Sequence, residues 1–200
     1  MGSEMCIRDR GLPGDGLWLV LRLWGRLGRI QRDDYLERGV EVSASISGAH
    51  GWVNGDDTWL RGQAGVKAAW LGPKRLNLVA RAVHSAQTRA HPEHRLFVGG
   101  YTALRGYAEG RFVGEGSGVL NVEARIPSIH RRWVVLQHVL FADAAAVYDG
   151  QAKLWQGGVS VGGGLRFIVP PLVGVVGRLD VAWAFHDQDW LLSFGAQQFF

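Results

Sequence analysis

The chain has 200 residues, of which 47% are hydrophobic and 20% charged, a composition that excludes an intrinsically disordered protein. Its 29 glycines and 9 tryptophans disfavour a helical bundle and are typical of a β protein with many turns. The net charge of +4 comes from arginines spread along the whole chain, without the clustered basic patch of a nucleic-acid-binding protein. The single cysteine, Cys6, excludes an intramolecular disulfide framework and a cysteine-based zinc site.

Residues 1–10 differ from the rest of the chain in composition and show no alternation, so we leave them out of the fold prediction. Residues 5–10 resemble translated sequencing-adapter read-through, which would make the chain a C-terminal fragment; an ordinary disordered N-terminus is the alternative. Residues 11–200 are then expected to form one unit. No apolar stretch approaches the roughly 18 residues of a membrane helix, which excludes a helical membrane protein.

Nine segments of alternating polarity follow in chain order. In the first, leucines at every second position favour a strand, although Arg22, Arg26 and Arg29 also share one face of a helix. Turn residues at 54–57 and 72–75 separate later segments, and a long irregular stretch of about residues 84–117 follows the fourth. The predicted strands are residues 17–29, 40–53, 58–71, 76–83, 118–126, 133–148, 159–169, 173–185 and 190–200.

Three features favour a membrane barrel over a soluble antiparallel sandwich. Most segments are near ten residues or longer, the length that tilted barrel strands need, whereas soluble strands are shorter. Their polar faces carry Arg, Glu, Asp, Asn and Gln at successive positions, which suits a hydrated lumen better than a dry core. Tryptophans near segment ends suit interfacial girdles: Trp52, Trp59, Trp70, Trp133 and Trp190. The predicted fold class is therefore all-β, an antiparallel transmembrane β-barrel.

The most specific motif lies in the long irregular stretch. Leu104-Arg105-Gly106-Tyr107 follows Phe97-Val-Gly99-Gly100, and the later strands carry Asn121-Val-Glu123-Ala-Arg125 and Phe141-Ala-Asp143. Together these motifs resemble the outer-membrane insertase superfamily, which comprises BamA, TamA, the two-partner-secretion transporters and the bacterial surface antigens. The resemblance covers about residues 17–200. Leu104 stands where the superfamily more usually has valine.

This resemblance implies a sixteen-stranded barrel in which five strands follow the motif loop, and five strands are predicted there. The chain would then hold the last nine of the sixteen strands. The loop, about residues 84–117, is implied to fold into the barrel lumen, with Arg105 anchored by Glu123 and Asp143. Gly106 would permit the turn and Tyr107 would pack against the barrel wall; a solvated Arg105 is the alternative.

The last eight residues resemble the C-terminal sorting signal of outer-membrane barrels. Ser193, Gly195 and Phe200 fit its polar, glycine and terminal aromatic positions, whereas Gln198 departs from it at a hydrophobic position. Such a strand can pair with another sheet by β-augmentation, which suggests the barrel assembly machinery as a partner.

Two kinds of functional site are disfavoured by the sequence. Gly158-Val-Ser160-Val-Gly162 matches the letters of a Gly-x-Ser-x-Gly elbow but falls at the start of a predicted strand rather than at a strand-to-helix turn, and the sequence has no phosphate loop. His84, His91 and His94 lack the spacing of a metal site and are better interpreted as surface histidines. We therefore expect a non-enzymatic protein that needs no cofactor and no metal and binds no nucleic acid.

The resemblance implies an outer-membrane protein assembly or translocation factor of the insertase or surface-antigen type. Its partners would be outer-membrane lipid and unfolded outer-membrane or secreted client proteins. A two-partner-secretion pore and the membrane-anchoring barrel of a patatin-like phospholipase are the alternatives. Domains preceding the barrel would distinguish them: several POTRA repeats for an insertase, two for a secretion pore, and a hydrolase domain for the lipase.

Overall fold

A computed structural model describes residues 18–33, 35–51, 57–88, 95–150, 154–169 and 176–196. Most of these residues belong to β-strands, and one 3₁₀ turn, Pro73–Arg75, links the third strand to the fourth. Across the described ranges, no helix has the length and apolar character needed to cross a membrane. The strands are β1 (Trp18–Asp33), β2 (Leu36–Gly51), β3 (Asp57–Leu71), β4 (Asn77–Gln87), β5 (Leu96–Val98), β6 (Phe112–Gly114), β7 (Gly116–His130), β8 (Val135–Asp149), β9 (Leu154–Ile168), β10 (Val176–Ala184) and β11 (Asp189–Ala196).

Nine of these strands form a single antiparallel sheet in the order β1-β2-β3-β4-β7-β8-β9-β10-β11. Each strand therefore pairs with its neighbour in the chain, except where the small β5–β6 hairpin intervenes between β4 and β7. The sheet is open, with β1 and β11 at its edges. These nine strands confirm the all-β prediction, and they show that the first segment is a strand rather than a helix.

The boundaries of the long connecting segment differ from the prediction. β4 continues to Gln87 and β7 begins at Gly116, so residues 88–115 connect them rather than residues 84–117. His84 consequently lies within β4, where it pairs with Ala64 and Gly118. Residues 1–10, Trp52 and most of the predicted 54–57 turn lie outside the described residues.

The two faces of the sheet differ in polarity because side chains alternate along each strand. On one face, Leu21, Leu23 and Leu27 of β1 are 66%, 73% and 77% exposed, and Leu140 of β8 is 65% exposed. The opposite face carries most of the arginines, carboxylates, serines and amides of these strands. An apolar outer face and a polar inner face are the arrangement of a membrane β-barrel wall.

The polar face is concave. Glu37 of β2 accepts a hydrogen bond of 3.3 Å from Arg125 Nη1 of β7, although β3 and β4 lie between these strands. At the end of the sheet where the β1–β2 turn lies, the rings of Tyr35 and His130 are 5.8 Å apart. A buried cluster at this end joins strands from both sides of the sheet: Tyr35, Leu36, Val135, Ile168 and Val176. Such contacts between distant strands require a strongly curved sheet.

Two halves of the inner face differ in exposure. Over β7–β10, the connecting segment covers the wall, and seven of the polar side chains there are at most 1% exposed: Asn121, Glu123, Arg125, Gln137, Asp143, Arg166 and Asp180. Over β1–β3, by contrast, Arg22, Arg26 and Gln63 are exposed. The prediction of a hydrated lumen is therefore wrong for the covered half, because the folded segment excludes solvent and the charges there pair with one another.

The predicted tryptophan girdle needs one correction. Trp70 and Trp190 lie on the outer face and are 55% and 62% exposed, and Trp133 is 65% exposed in the β7–β8 turn. Trp59, however, shares the inner face of β3 with Arg61, whose guanidinium lies 5.4 Å from its ring centroid. Trp59 faces inward because it lies two residues before the inward-facing Arg61, and every second side chain of a strand lies on the same face.

Candidate functional site

Arg105 lies buried at the centre of the covered half of the inner face, with 1% of its surface exposed. Its Nε and Nη2 donate to Asp143 Oδ2 and Oδ1, at 2.6 and 2.8 Å, in a bidentate pair. Its Nη1 donates to Glu123 Oε1 at 2.5 Å and lies 3.9 Å from Asp180 Oδ2. The structure thus brings together the loop arginine and the two carboxylates singled out in the sequence.

The neighbouring strands position this arginine from several sides. The Phe141 ring of β8 lies under the guanidinium, 3.5 Å from its central carbon to the ring centroid. Asn121 of β7 donates from Nδ2 to Asp143 Oδ1 and to the backbone oxygen of Ala103, both at 2.9 Å. These contacts fix both the plane and the position of the Arg105 fork.

The carboxylates belong to a larger buried ion network that the sequence reasoning missed. Arg125 and Arg166 donate to Glu123 at 2.7 and 3.2 Å, and Arg166 also donates to Asp180 at 2.5 Å. The network extends across the floor of the sheet in the order Lys67, Glu37, Arg125, Glu123, Arg166, Asp180 and Arg178. Alternation placed these residues on the inner face, but the curvature of the sheet decides which of them meet.

The charge state of Arg105 follows from its surroundings. Burial by itself lowers the pKa of the Arg105 guanidinium, but hydrogen bonding to Asp143 and the charge of Glu123 raise that pKa above its ordinary value. Arg105 therefore stays charged. Because desolvation offsets much of the attraction in a buried ion pair, such a network fixes position more than it adds stability.

Gly106 and Tyr107 complete the contact with the wall. Gly106 has φ +87°, and a Cβ there would lie 3.2 Å from Ala182 Cβ and 3.3 Å from Ser160 Cβ, so glycine alone fits without strain. The Tyr107 hydroxyl donates to the Val159 oxygen at 2.9 Å and accepts from the His186 backbone N–H at 3.1 Å. Leu104 is fully buried in a hydrophobic cluster that also contains Tyr107 and Phe112.

Strand β9 leaves room for this segment by presenting glycines to the inner face. A Cβ on Gly158 would lie 2.5 Å from the Tyr107 ring, and one on Gly162 would lie 2.5 Å from Phe141 Cζ. A Cβ on Gly164 would collide with the Asp180 carboxylate. The glycines of β9 therefore form the recess into which Tyr107, Phe141 and Asp180 pack.

Replacing Tyr107 with phenylalanine is expected to destabilise the protein by about 1–2 kcal/mol, because both hydrogen bonds of the hydroxyl are lost. Denaturant unfolding of the purified protein in detergent micelles measures this change. Tyr148→Phe is the matched control, since Tyr148 lies on the outer face and its ring contact with Trp155 is retained. Equal unfolding midpoints for the two variants would contradict the role given to the Tyr107 hydroxyl.

At the rim, the connecting segment forms two ion pairs, of which one is exposed. Arg111 donates to Asp187 of the β10–β11 turn at 2.9 and 3.0 Å, and this hydrogen bonding lowers the pKa of the Asp187 carboxyl. Arg95 and Asp149 form a further ion pair at 2.6 Å, in which both side chains are partly buried. An exposed pair such as Arg111–Asp187 contributes little to stability, so the buried contacts of residues 104–107 hold the segment more strongly than this pair does.

The remaining predicted site residues lie apart from Arg105. Ser193 and Gly195 are in β11, where they pair with Asp180 and Arg178 of β10, and Phe200 lies outside the described residues. In the described part of the chain, no group of three or more His, Cys, Asp or Glu side chains is arranged to hold a metal ion. Two of the three histidines considered in the sequence, His91 and His94, fall outside that part.

The geometry agrees with what comparison with known proteins shows. The family model described as the Omp85 superfamily domain matches residues 22–196, which includes ten of the eleven strands entirely and most of β1. No curated protein matches the chain. Because the family match extends over most of the sequence, from β1 to β11, the chain belongs to the Omp85 superfamily of bacterial outer-membrane proteins, the superfamily of BamA and TamA.

Proposed function

We propose that this protein is a non-enzymatic assembly factor that inserts client proteins into the bacterial outer membrane. The observation that carries the proposal is the complete burial of Arg105 between Glu123 and Asp143 on the inner face. The segment anchored in this way occupies one half of that face. Insertion at the barrel wall does not need a fully open lumen, so a segment fixed in one half of the lumen is compatible with it.

Two surfaces would serve this function. The apolar outer face would contact outer-membrane lipid. The edge of β11, which contains Ser193 and Gly195, offers backbone groups that a client strand or the barrel assembly machinery would pair by β-augmentation. In the proposed sorting signal, Phe200 would be the terminal aromatic residue read by that machinery.

The proposal is tested by expressing Arg105→Ala from the native gene as the sole copy. We expect folded porins in the outer membrane to fall as far as they do without the protein, because the lumen segment loses its anchor. Folded porins are quantified by their heat-modifiable electrophoretic mobility. Arg111→Ala is the matched control, since Arg111 lies in the same segment but forms an exposed pair with Asp187.

Two results would contradict the insertase proposal. Normal porin assembly in the Arg105→Ala strain, with export of a single secreted protein abolished, would identify a secretion pore instead. Equal losses for Arg105→Ala and Arg111→Ala would mean that the buried anchor has no special role.

A further inference from the structure

The uncovered half of the inner face contains a groove along β2. Its floor consists of Ser43, Ser45 and Ser47, which point inward at successive alternate positions. One wall is formed by β1, whose residues Arg22, Trp24 and Arg26 pair with these serines in register. The other wall is formed by β3, where Arg61 and Gln63 pair with Ser47 and Ser45. A cavity of about 410 Å³ lies between the walls.

The groove is positively charged. Within the part of the chain that the structure describes, Arg22 forms no ion pair and no side-chain hydrogen bond. Arg26 is 58% exposed and lies 3.5 Å from Glu41, a carboxylate at the end of the floor. Arg61 donates to the neutral amide of Gln87. The nearest other carboxylate on β2, Glu37, is already bound by Lys67 and Arg125.

Trp24 is 72% exposed although it faces the polar interior. An aromatic ring on the outer face would be accounted for by lipid, but the register places Trp24 on the same face as Arg22 and Arg26. Its ring lies between these two arginines along the strand, 6.0 Å from the Arg26 guanidinium. An exposed indole between two cations offers an apolar contact to whatever the arginines bind.

We propose that this groove binds an extended, acidic polypeptide segment of a client protein. The inference rests on the proposed function, because it names the class of segment that the lumen would accept. Arg22 and Arg26 are four residues apart on one strand, about 14 Å at 3.4 Å per residue. An extended chain lying along β2 would present acidic side chains at the same spacing and an apolar side chain midway, opposite Trp24.

Both the length and the location of the groove favour a polypeptide over other anions. A single phosphate or carboxylate spans far less than the separation of the two arginines and would engage only one of them. A lipid would approach from the apolar outer face, whereas the groove opens on the inner face. The serines of the floor have small, polar side chains, so an extended backbone can lie on them and form hydrogen bonds with their hydroxyl groups.

Binding of short fluorescent peptides to the purified protein in detergent micelles tests the proposal. One nine-residue peptide carries glutamate at its third and seventh positions and phenylalanine at the fifth, and a second carries glutamine in place of glutamate. We expect the acidic peptide to bind at least about tenfold more tightly, because charge-assisted hydrogen bonds are stronger than neutral ones. We expect this preference to shrink as salt is added.

Two variants locate the binding site. Arg22→Gln combined with Arg26→Gln should abolish the preference for the acidic peptide, and Trp24→Ala should weaken binding of both peptides. Arg29→Gln is the matched control, since Arg29 is an exposed arginine on the opposite face of the same strand. These side chains are exposed, and heat-modifiable mobility verifies that each variant is folded.

Equal affinities for the acidic and neutral peptides would overturn the inference, as would an equal loss of affinity in the Arg29→Gln variant. The outcome is separable from that of the proposed function. Peptide binding that depends on Arg22 and Arg26, with normal porin assembly in the Arg105→Ala strain, would sustain the groove and reject the insertase. Peptide binding that does not depend on Arg22 and Arg26, together with loss of porin assembly in the Arg105→Ala strain, would reject the groove and leave the insertase proposal standing.

Discussion

Replacing Arg105 with alanine is expected to lower the free energy of unfolding by about 3–5 kcal/mol, the usual cost of removing one partner from a buried ion pair. The variant removes the bidentate partner of the buried Asp143, which keeps the Asn121 amide as a side-chain donor, and it removes one of the three arginines that surround Glu123. Denaturant unfolding of the purified protein in detergent micelles, followed by tryptophan fluorescence, measures the change. The free energy of unfolding of Arg105→Lys should lie between those of the original protein and of Arg105→Ala, because lysine retains the charge but loses the bidentate fork.

A double-mutant cycle with Asp143→Ala shows whether the two residues act as one unit. Each single variant should cause a large loss of stability, and the double variant should lose little more than either, since the uncompensated partner is also removed. The same pattern is expected for porin assembly. Losses that simply add would mean that Arg105 and Asp143 contribute independently, contrary to the bidentate geometry.

Gly162→Ala is expected to destabilise the protein by about 1–3 kcal/mol through overpacking. The added methyl group would lie 2.5 Å from Phe141 Cζ and 2.9 Å from the Ala182 Cα, and it would collide with the Val181 backbone oxygen. Because Phe141 stacks on the Arg105 guanidinium, its displacement would also disturb the anchor. Unfolding in micelles measures the loss of stability.

The adjacent Gly163 provides a matched control for this substitution. It faces outward in the same strand, and its nearest neighbour to an added Cβ is the Val139 oxygen at an ordinary 3.5 Å. Gly163→Ala should therefore leave stability within about 0.5 kcal/mol of the original. A comparable destabilisation by both alanines would show that strand β9 resists any added side chain, rather than reserving its inner face for Phe141.

Sequence alone predicts the nine strands of the sheet and the face on which most of their residues lie. Alternation is a local property, so Leu21 and Arg22 were assigned to opposite faces before any pairing was known. The partners of Arg105 were accessible only through the resemblance to a known superfamily. Spacing along the chain does not relate residue 105 to residues 123 and 143.

Other features depend on long-range geometry that the pattern does not contain. The pairing of Glu37 with Arg125 arises from the curvature of the sheet, which joins residues 88 positions apart. Strands β5 and β6 have three residues each, too few to show alternation. The inward orientation of Trp59 was available from its parity with Arg61, but its place near a strand end suggested a girdle instead.

The site around Arg105 also sets an order of events during folding. Strand pairing in the sheet is mostly between chain neighbours, so hairpins can form one after another with little loss of chain entropy. The central segment is different, because its contacts involve Glu123 on β7, Asp143 on β8, Val159 on β9 and Asp180 on β10. We therefore expect residues 104–107 to dock only after these four strands have paired, as a late step of folding that requires a correctly formed wall.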